Sequence, residues 1–274
     1  MRWTMFFKPI TSVTPEEGRK LIRDDDSLNL LDVRQPNEFK EGHISGAKLI
    51  PLPDLPDKMD SLDKNETLLV YCAIGGRSRI ATQMLKEEGF INVINLKGGF
   101  KAYNGWTGYG EYEKGLELFP DDMSLSDTLH RAYAMEEALE LFYISQGDKT
   151  SSIQVKNIFH QLALVETRHK SNILDTAEEM ALEIDIETID STIAEAGMTT
   201  DDYLKILGTN PETPEDVVAF AMTVEAQAMD LYKRAADTAI SKEVKQILLN
   251  MSWEEKAHLR LLGKLMDEIA GDKS

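Results

Sequence analysis

Two patterns of apolar and polar positions divide the 274-residue chain. Up to about residue 108, short apolar runs alternate with short helical stretches. Leu28–Val33 (LNLLDV), Lys48–Leu52, Thr67–Tyr71 (TLLVY) and Val93–Leu96 read as strands; Pro15–Arg23, Pro36–Glu41 and Ser78–Glu88 read as helices. Strands that are apolar throughout, with helices between them, predict a mostly parallel sheet covered on both faces. From Leu125 the period lengthens to that of the α-helix. Long helices are expected near 125–146, 152–175, 214–238 and 242–270, with 176–213 as a long connection carrying short helices of its own. Gly108–Ser124 separates the two textures and reads as a linker. The expected organisation is an α/β domain over 1–108, a linker over 109–124 and an all-α four-helix bundle over 125–274.

The helical half repeats itself. AYAMEEALELFY (132–143) aligns with AMTVEAQAMDLY (221–232), and LALVETRHKS (162–171) with MSWEEKAHLR (251–260), both at an offset of 89 residues. The bundle is therefore expected to be a duplicated helical hairpin.

Composition narrows the range of functions. A formal net charge of −18 opposes binding to nucleic acid or to an anionic membrane surface. The single cysteine, Cys72, excludes an intrachain disulfide and any four-cysteine zinc or rubredoxin-type site. The opening residues MRWTMFFKPI hold too short an apolar run for a signal peptide, and no stretch approaches a membrane span. The expectation is a cytoplasmic protein.

Cys72 follows the strand TLLVY and opens the loop CAIGGRS, after which a helix begins. A sulfur at a strand end and helix start meets converging backbone N–H groups, which stabilise an anion and lower the thiol pKa. Gly75 and Gly76 let the loop close tightly, and Arg77 adds a positive charge beside an anionic substrate. Ala73, Ile74, Gly75, Gly76 and Ser78 would line the substrate. Four residues separate Cys72 from Arg77, one fewer than in the cysteine phosphatase loop, so the ring suits a terminal sulfur better than a tetrahedral phosphate.

Residues 8–107 resemble a single-domain rhodanese. The loop pattern C-x-x-G-x-R-S is met by Cys72, Gly75, Arg77 and Ser78; LDVR (31–34) with Glu38–Phe39, GHISGAKLIPL (42–52) and LKGGFKAY (96–103) match the other signatures. Tyr103 stands where the family often has tryptophan. The resemblance implies that Cys72 takes sulfane sulfur from thiosulfate, polysulfide or a persulfide, with Arg77 in the active site, and passes it to a thiol or cyanide acceptor. Asp32, Arg34 and His43 read as structural.

The second constellation is carboxylate and imidazole. Glu166–His169 and Glu255–His258 are both E-x-x-H pairs. On the last helix Val244, Leu248, Met251, Glu255, His258, Leu262 and Leu265 form one stripe, which places a glutamate and a histidine inside an apolar seam. Glu136 and Glu225 interrupt the corresponding stripes of the first and third helices. Glu136 to Glu166 and Glu225 to Glu255 are each 30 residues, with midpoints at 151 and 240 in the sequences GDKTSS and DTAISK, which read as turns, so each hairpin is expected to bring its two glutamates level. Buried carboxylates need cations, and two divalent ions would balance four of them.

This half, about 122–270, resembles the rubrerythrin branch of ferritin-like proteins. The resemblance implies two non-haem iron ions held by Glu136, Glu166, His169, Glu225, Glu255 and His258, no organic cofactor, reduction of peroxide or handling of oxygen, an external electron donor, and a homodimer or larger assembly. Ala228 stands where rubrerythrins often carry an additional glutamate, and no rubredoxin-like module is present. The competing expectation is a persulfide carrier joined to an iron-storing or iron-sensing bundle.

Overall fold

The computed structural model describes residues 9–186, 193–194, 198–199, 202–203, 205 and 213–271. They belong to two units, Met1–Tyr112 and Glu113–Ser274, each with its own core.

In the first unit the strands are β1 (Thr11–Val13), β2 (Asn29–Asp32), β3 (His43–Ile44), β4 (Ala47–Leu49), β5 (Thr67–Tyr71), β6 (Asn92–Leu96) and β7 (Thr107–Gly108). The helices are α1 (Pro15–Asp24), α2 (Pro36–Lys40), α3 (Leu55–Lys58), α4 (Gly76–Glu87) and α5 (Gly99–Ala102). Five strands form a parallel sheet in the order β1-β6-β5-β2-β4. Strand alternation sorts the side chains between two faces. Leu31, Val33, Leu68, Val70 and Cys72 pack with Leu55, Ala81 and Leu85 on one face; Leu30, Leu69 and Tyr71 pack with Ile22 and Tyr103 on the other. Burial of each such aliphatic side chain contributes roughly 1.5–3 kcal/mol. Thr14 and Glu17 form a reciprocal capping box that starts α1.

The strand β1 and the antiparallel pair β3–β7 lie outside the strands read from hydrophobic pattern. Each is two or three residues long, too short to show a period.

In the second unit the long helices are α6 (Leu125–Lys149), α7 (Ile153–Glu179), α8 (Pro214–Thr238) and α9 (Lys242–Gly271). Ser124, Ser152 and Thr213 cap the first three through their hydroxyls. The stretch expected to link the units is folded: Leu118 and Phe119 are buried against Leu129, Leu231 and Tyr232, and the buried Asp230–Arg234 pair reaches the Lys114 carbonyl at 2.9 Å. In the connection expected to carry short helices, Asp202, Tyr203 and Lys205 are helical, while Ile193–Ala194 and Met198–Thr199 pair as antiparallel strands; most of 187–212 lies outside the described residues. Among the described residues no helix is long and apolar enough to cross a membrane.

Candidate functional site

Cys72 is the first residue after β5, and its side chain is fully buried. Gly75, at φ +97°, turns the chain into α4 and donates its N–H to Cys72 Sγ at 3.1 Å. Burial pushes the thiol pKa up, but the N–H and hydroxyl of Ser78 and the N–H groups of Ile74 and Gly75 outweigh it, so the thiol lies below its ordinary value. The Ser78 hydroxyl also sits 2.6 Å from Asn95 Oδ1. It has one proton to give, so we assign the pull on sulfur chiefly to the backbone. Ile74 is 69% exposed, which places the loop tip in solvent.

The LKGGF segment holds this loop from behind. Phe100 N–H donates to the Cys72 carbonyl at 2.8 Å and Lys101 N–H to the Ala73 carbonyl at 3.0 Å. Gly99 has φ +58°, and a Cβ there would lie 2.1 Å from the Cys72 oxygen. That overlap cannot relax without moving the cysteine. Gly99→Ala is therefore expected to slow persulfide formation by about a hundredfold, the usual effect of displacing a reacting atom by an ångström. Single-turnover labelling with thiosulfate checks it; an unchanged rate would remove the latch.

Arg77 does not face substrate as an unpaired charge. Both its terminal nitrogens donate to Glu38, at 2.6 Å each, and this pairing holds the Glu38 carboxyl down at about 2. The anion-binding capacity of the loop thus rests more on backbone N–H groups than the sequence suggested. Glu38 entered the sequence analysis only as part of a signature, because nothing local tells that α2 delivers it 39 residues away onto α4. Asp32 and Arg34 form a buried pair at 2.7 Å, and Arg34 also donates to the Gly42 carbonyl at 2.8 Å. His43 stacks on Phe39 and lies 3.0 Å from its carbonyl. Tyr103 is core packing.

In the bundle the six expected side chains converge. Glu136, Glu166, His169, Glu225 and Glu255 are all buried, in the middle of α6, α7, α8 and α9. His169 Nδ1 lies 3.1 Å from Glu136 Oε2 and 2.9 Å from Glu166 Oε2; His258 Nδ1 lies 3.3 Å from Glu255 Oε2. The two imidazoles, 89 residues apart, stack at 4.1 Å with their Nε2 atoms 2.9 Å from each other. Potential ligand atoms fall into two groups, Glu136–Glu166–His169 and His169–Glu255–His258.

The electrostatics describe a site built for cations. Burial pushes Glu166 well above the usual carboxylate range, and neighbouring Glu225 adds to it; burial and the Glu255 charge do the same to Glu225. Glu255 is raised to about 8, first by burial. Burial works against a proton on His169, yet the Glu136 and Glu166 charges win and raise it; burial lowers His258. The protonated form is thus favoured at His169 and disfavoured at His258. Glu166 Oε1 and Glu225 Oε2 complete no hydrogen bond among the described residues, and Glu166 Oε2 meets only the His169 imidazole. Such buried orphan oxygens are costly unless something positive meets them. A set of carboxylate and imidazole donors without thiolate fits iron or manganese. Ala228 is fully buried and offers no donor.

The comparisons with known proteins follow the same division. The rhodanese-like domain model matches residues 14–105 and the rubrerythrin model residues 127–266. The chain is similar to the putative sulfurtransferase YtwF of Bacillus subtilis, 38% identical over 98 residues, which are 36% of this chain and 94% of that protein. It is also similar to the putative sulfur carrier protein YrkF of Bacillus subtilis, 34% identical over 98 residues, 36% of this chain; it spans 53% of the length of that protein. A crystal structure of a rhodanese-like domain protein from Staphylococcus aureus is 34% identical, with 35% of this chain and 92% of that chain covered at a TM-score of 0.33. The chain belongs to the rubrerythrin family through its helical bundle and carries a rhodanese-like domain in its α/β unit.

Proposed function

We propose that the chain is a sulfurtransferase that carries sulfane sulfur on Cys72, joined to a di-iron carboxylate domain that reduces peroxide. The carrying observation for the first activity is the Cys72 sulfur at the end of β5 with Gly75 N–H at 3.1 Å. The thiolate attacks the sulfane sulfur of the donor. A sulfur–sulfur bond forms as the donor's bond breaks, and the leaving sulfite or thiolate departs with the electron pair. The loop N–H groups then hold the terminal sulfur of the persulfide until a thiol or cyanide removes it. Arg77, held by Glu38, stays at the loop edge and meets the anionic donor.

For the second activity the carrying observation is the convergence of Glu136, Glu166, His169, Glu225, Glu255 and His258 from four helices, with orphan oxygens on Glu166 and Glu225. These six would hold two iron ions, which when bound supply the electrons that reduce peroxide and are recharged by an external donor. The protein's own part is to keep the ligands level and to exclude bulk water by burial. The carrier alternative draws on the similarity to a putative sulfur carrier protein. Repeated turnover with thiosulfate and cyanide separates the two: a catalyst cycles, whereas a carrier stops after one sulfur. Protein purified without oxygen is expected to contain two irons per chain and to consume peroxide when reduced; a chain without metal that gains none from ferrous iron would sink the second reading.

A further inference from the structure

The seam between α7 and α9 that carries the two imidazoles continues into a small cleft. Asn172 and Ile173 follow His169 by three and four positions, and Glu254 precedes His258 by four, so the cleft begins one helical turn from the imidazole pair. Ile173 and Met251 are buried and form its floor; Asn172, Asn250 and Glu254 are exposed and Thr176 half-buried at its rim. One further observation points inward. His258 is the most open of the imidazole and carboxylate groups in these ion pairs, at 18% side-chain exposure against 5% for His169 and 2% for Glu255.

The internal duplication supplies a control. Applying the 89-residue offset, the counterparts of Asn172, Thr176 and Glu254 are Leu261, Leu265 and Val165, and that of Asn250 is Gln161. At that related seam the floor counterparts Leu162 and Leu262 sit in an apolar cluster with Tyr203 and Met198, and Leu265 packs against it. Leu261, the counterpart of Asn172, is itself exposed and Gln161 is polar like Asn250, so the two ends differ most at Thr176, whose counterpart Leu265 packs onto the apolar cluster. Packing alone would not call for a hydroxyl at Thr176 where leucine covers the equivalent seam.

We propose that this cleft is the entry route by which a small uncharged oxidant, hydrogen peroxide, reaches the paired imidazoles; the substrate rests on the di-iron reading above. Asn172, Asn250 and Thr176 can exchange hydrogen bonds with peroxide as they would with water. Glu254 at the mouth repels anions, including the sulfur anions proposed for the other unit.

The test uses Met251 as an internal reporter. A methionine thioether takes one oxygen atom from hydrogen peroxide and releases water, which peptide mass spectrometry reads residue by residue. In the full chain kept free of redox-active metal, Met251 should be oxidised ahead of Met229, which is similarly buried, at 5% against 8% exposure, but does not line the cleft. The double variant Asn172→Leu, Thr176→Leu installs the residues that the related seam already accepts, so the fold should persist, as a melting curve verifies. It should lose the preference for Met251, and in iron-loaded protein the oxidation of ferrous iron by peroxide should slow in parallel at unchanged metal content. Met251 reacting no faster than Met229, or a preference that survives in the double variant, would overturn the route. A parent that shows the preference yet fails to turn over peroxide with iron bound would overturn the reading of the centre and leave the route standing.

Discussion

Serine at position 72 is expected to abolish sulfur uptake completely. With thiosulfate the parent chain should gain the mass of one sulfur atom, which a thiol reductant removes; Cys72→Ser should gain none. The hydroxyl has nearly the same volume as the thiol and sits in the same buried place, so the fold should hold. The chemistry fails because the reaction needs a nucleophile that ionises near neutral pH. The loop N–H groups lower a thiol that begins near 8.5, but no comparable push brings a serine hydroxyl into range. If the serine variant still acquires the mass, the nucleophile lies elsewhere and the active-site assignment falls.

The second large effect concerns the bundle. Replacing His169 and His258 together by alanine should remove most bound metal and, with it, peroxide consumption, while sulfur transfer at Cys72 continues on its own core. The pH dependence of stability should change in a related way. In the metal-free protein Glu255 titrates at about 8 when folded, against about 4.3 for an unfolded glutamate. The folded state then holds more protons than the unfolded state across that window. Stability from this group is present below about 4.3 and is lost as pH rises toward 8. Glu166 and Glu225, also raised, act in the same direction. The loss should be on the order of a few kcal/mol. Metal binding replaces those protons with cations, so the melting temperature of loaded protein should fall much less, and the gap between the two forms should widen with pH. Calorimetry at pH 5, 6.5 and 8 (about these values suffices to span the window) reads this directly. A constant gap would mean that these carboxylates do not hold the metal.

Much of this was legible before any coordinate. The apolar runs at β2, β5 and β6 are long enough to declare strands buried on both faces, and the glutamates and histidines stand out because they interrupt helical apolar stripes. The equal 30-residue separations needed only the helix rise and a turn at the midpoint to become level. The latch was different. LKGGF was visible as a motif, but that Gly99 leaves room for the Cys72 carbonyl follows from two segments 27 residues apart meeting within ordinary bond lengths of overlap.

What the sequence determined by itself was therefore local and periodic: the two textures, the cysteine loop between strand and helix, the six ligand candidates and the duplication. Tertiary structure decided what depends on non-local approach. It gave Arg77 to Glu38, tied Lys114 to Arg234 where a linker was expected, and set His169 against His258 at 2.9 Å. It also made the two ends of a duplicated bundle unequal. Periodicity reports which side a residue faces, but not what stands opposite it; partners 39 to 120 residues away are fixed only when the whole chain has packed.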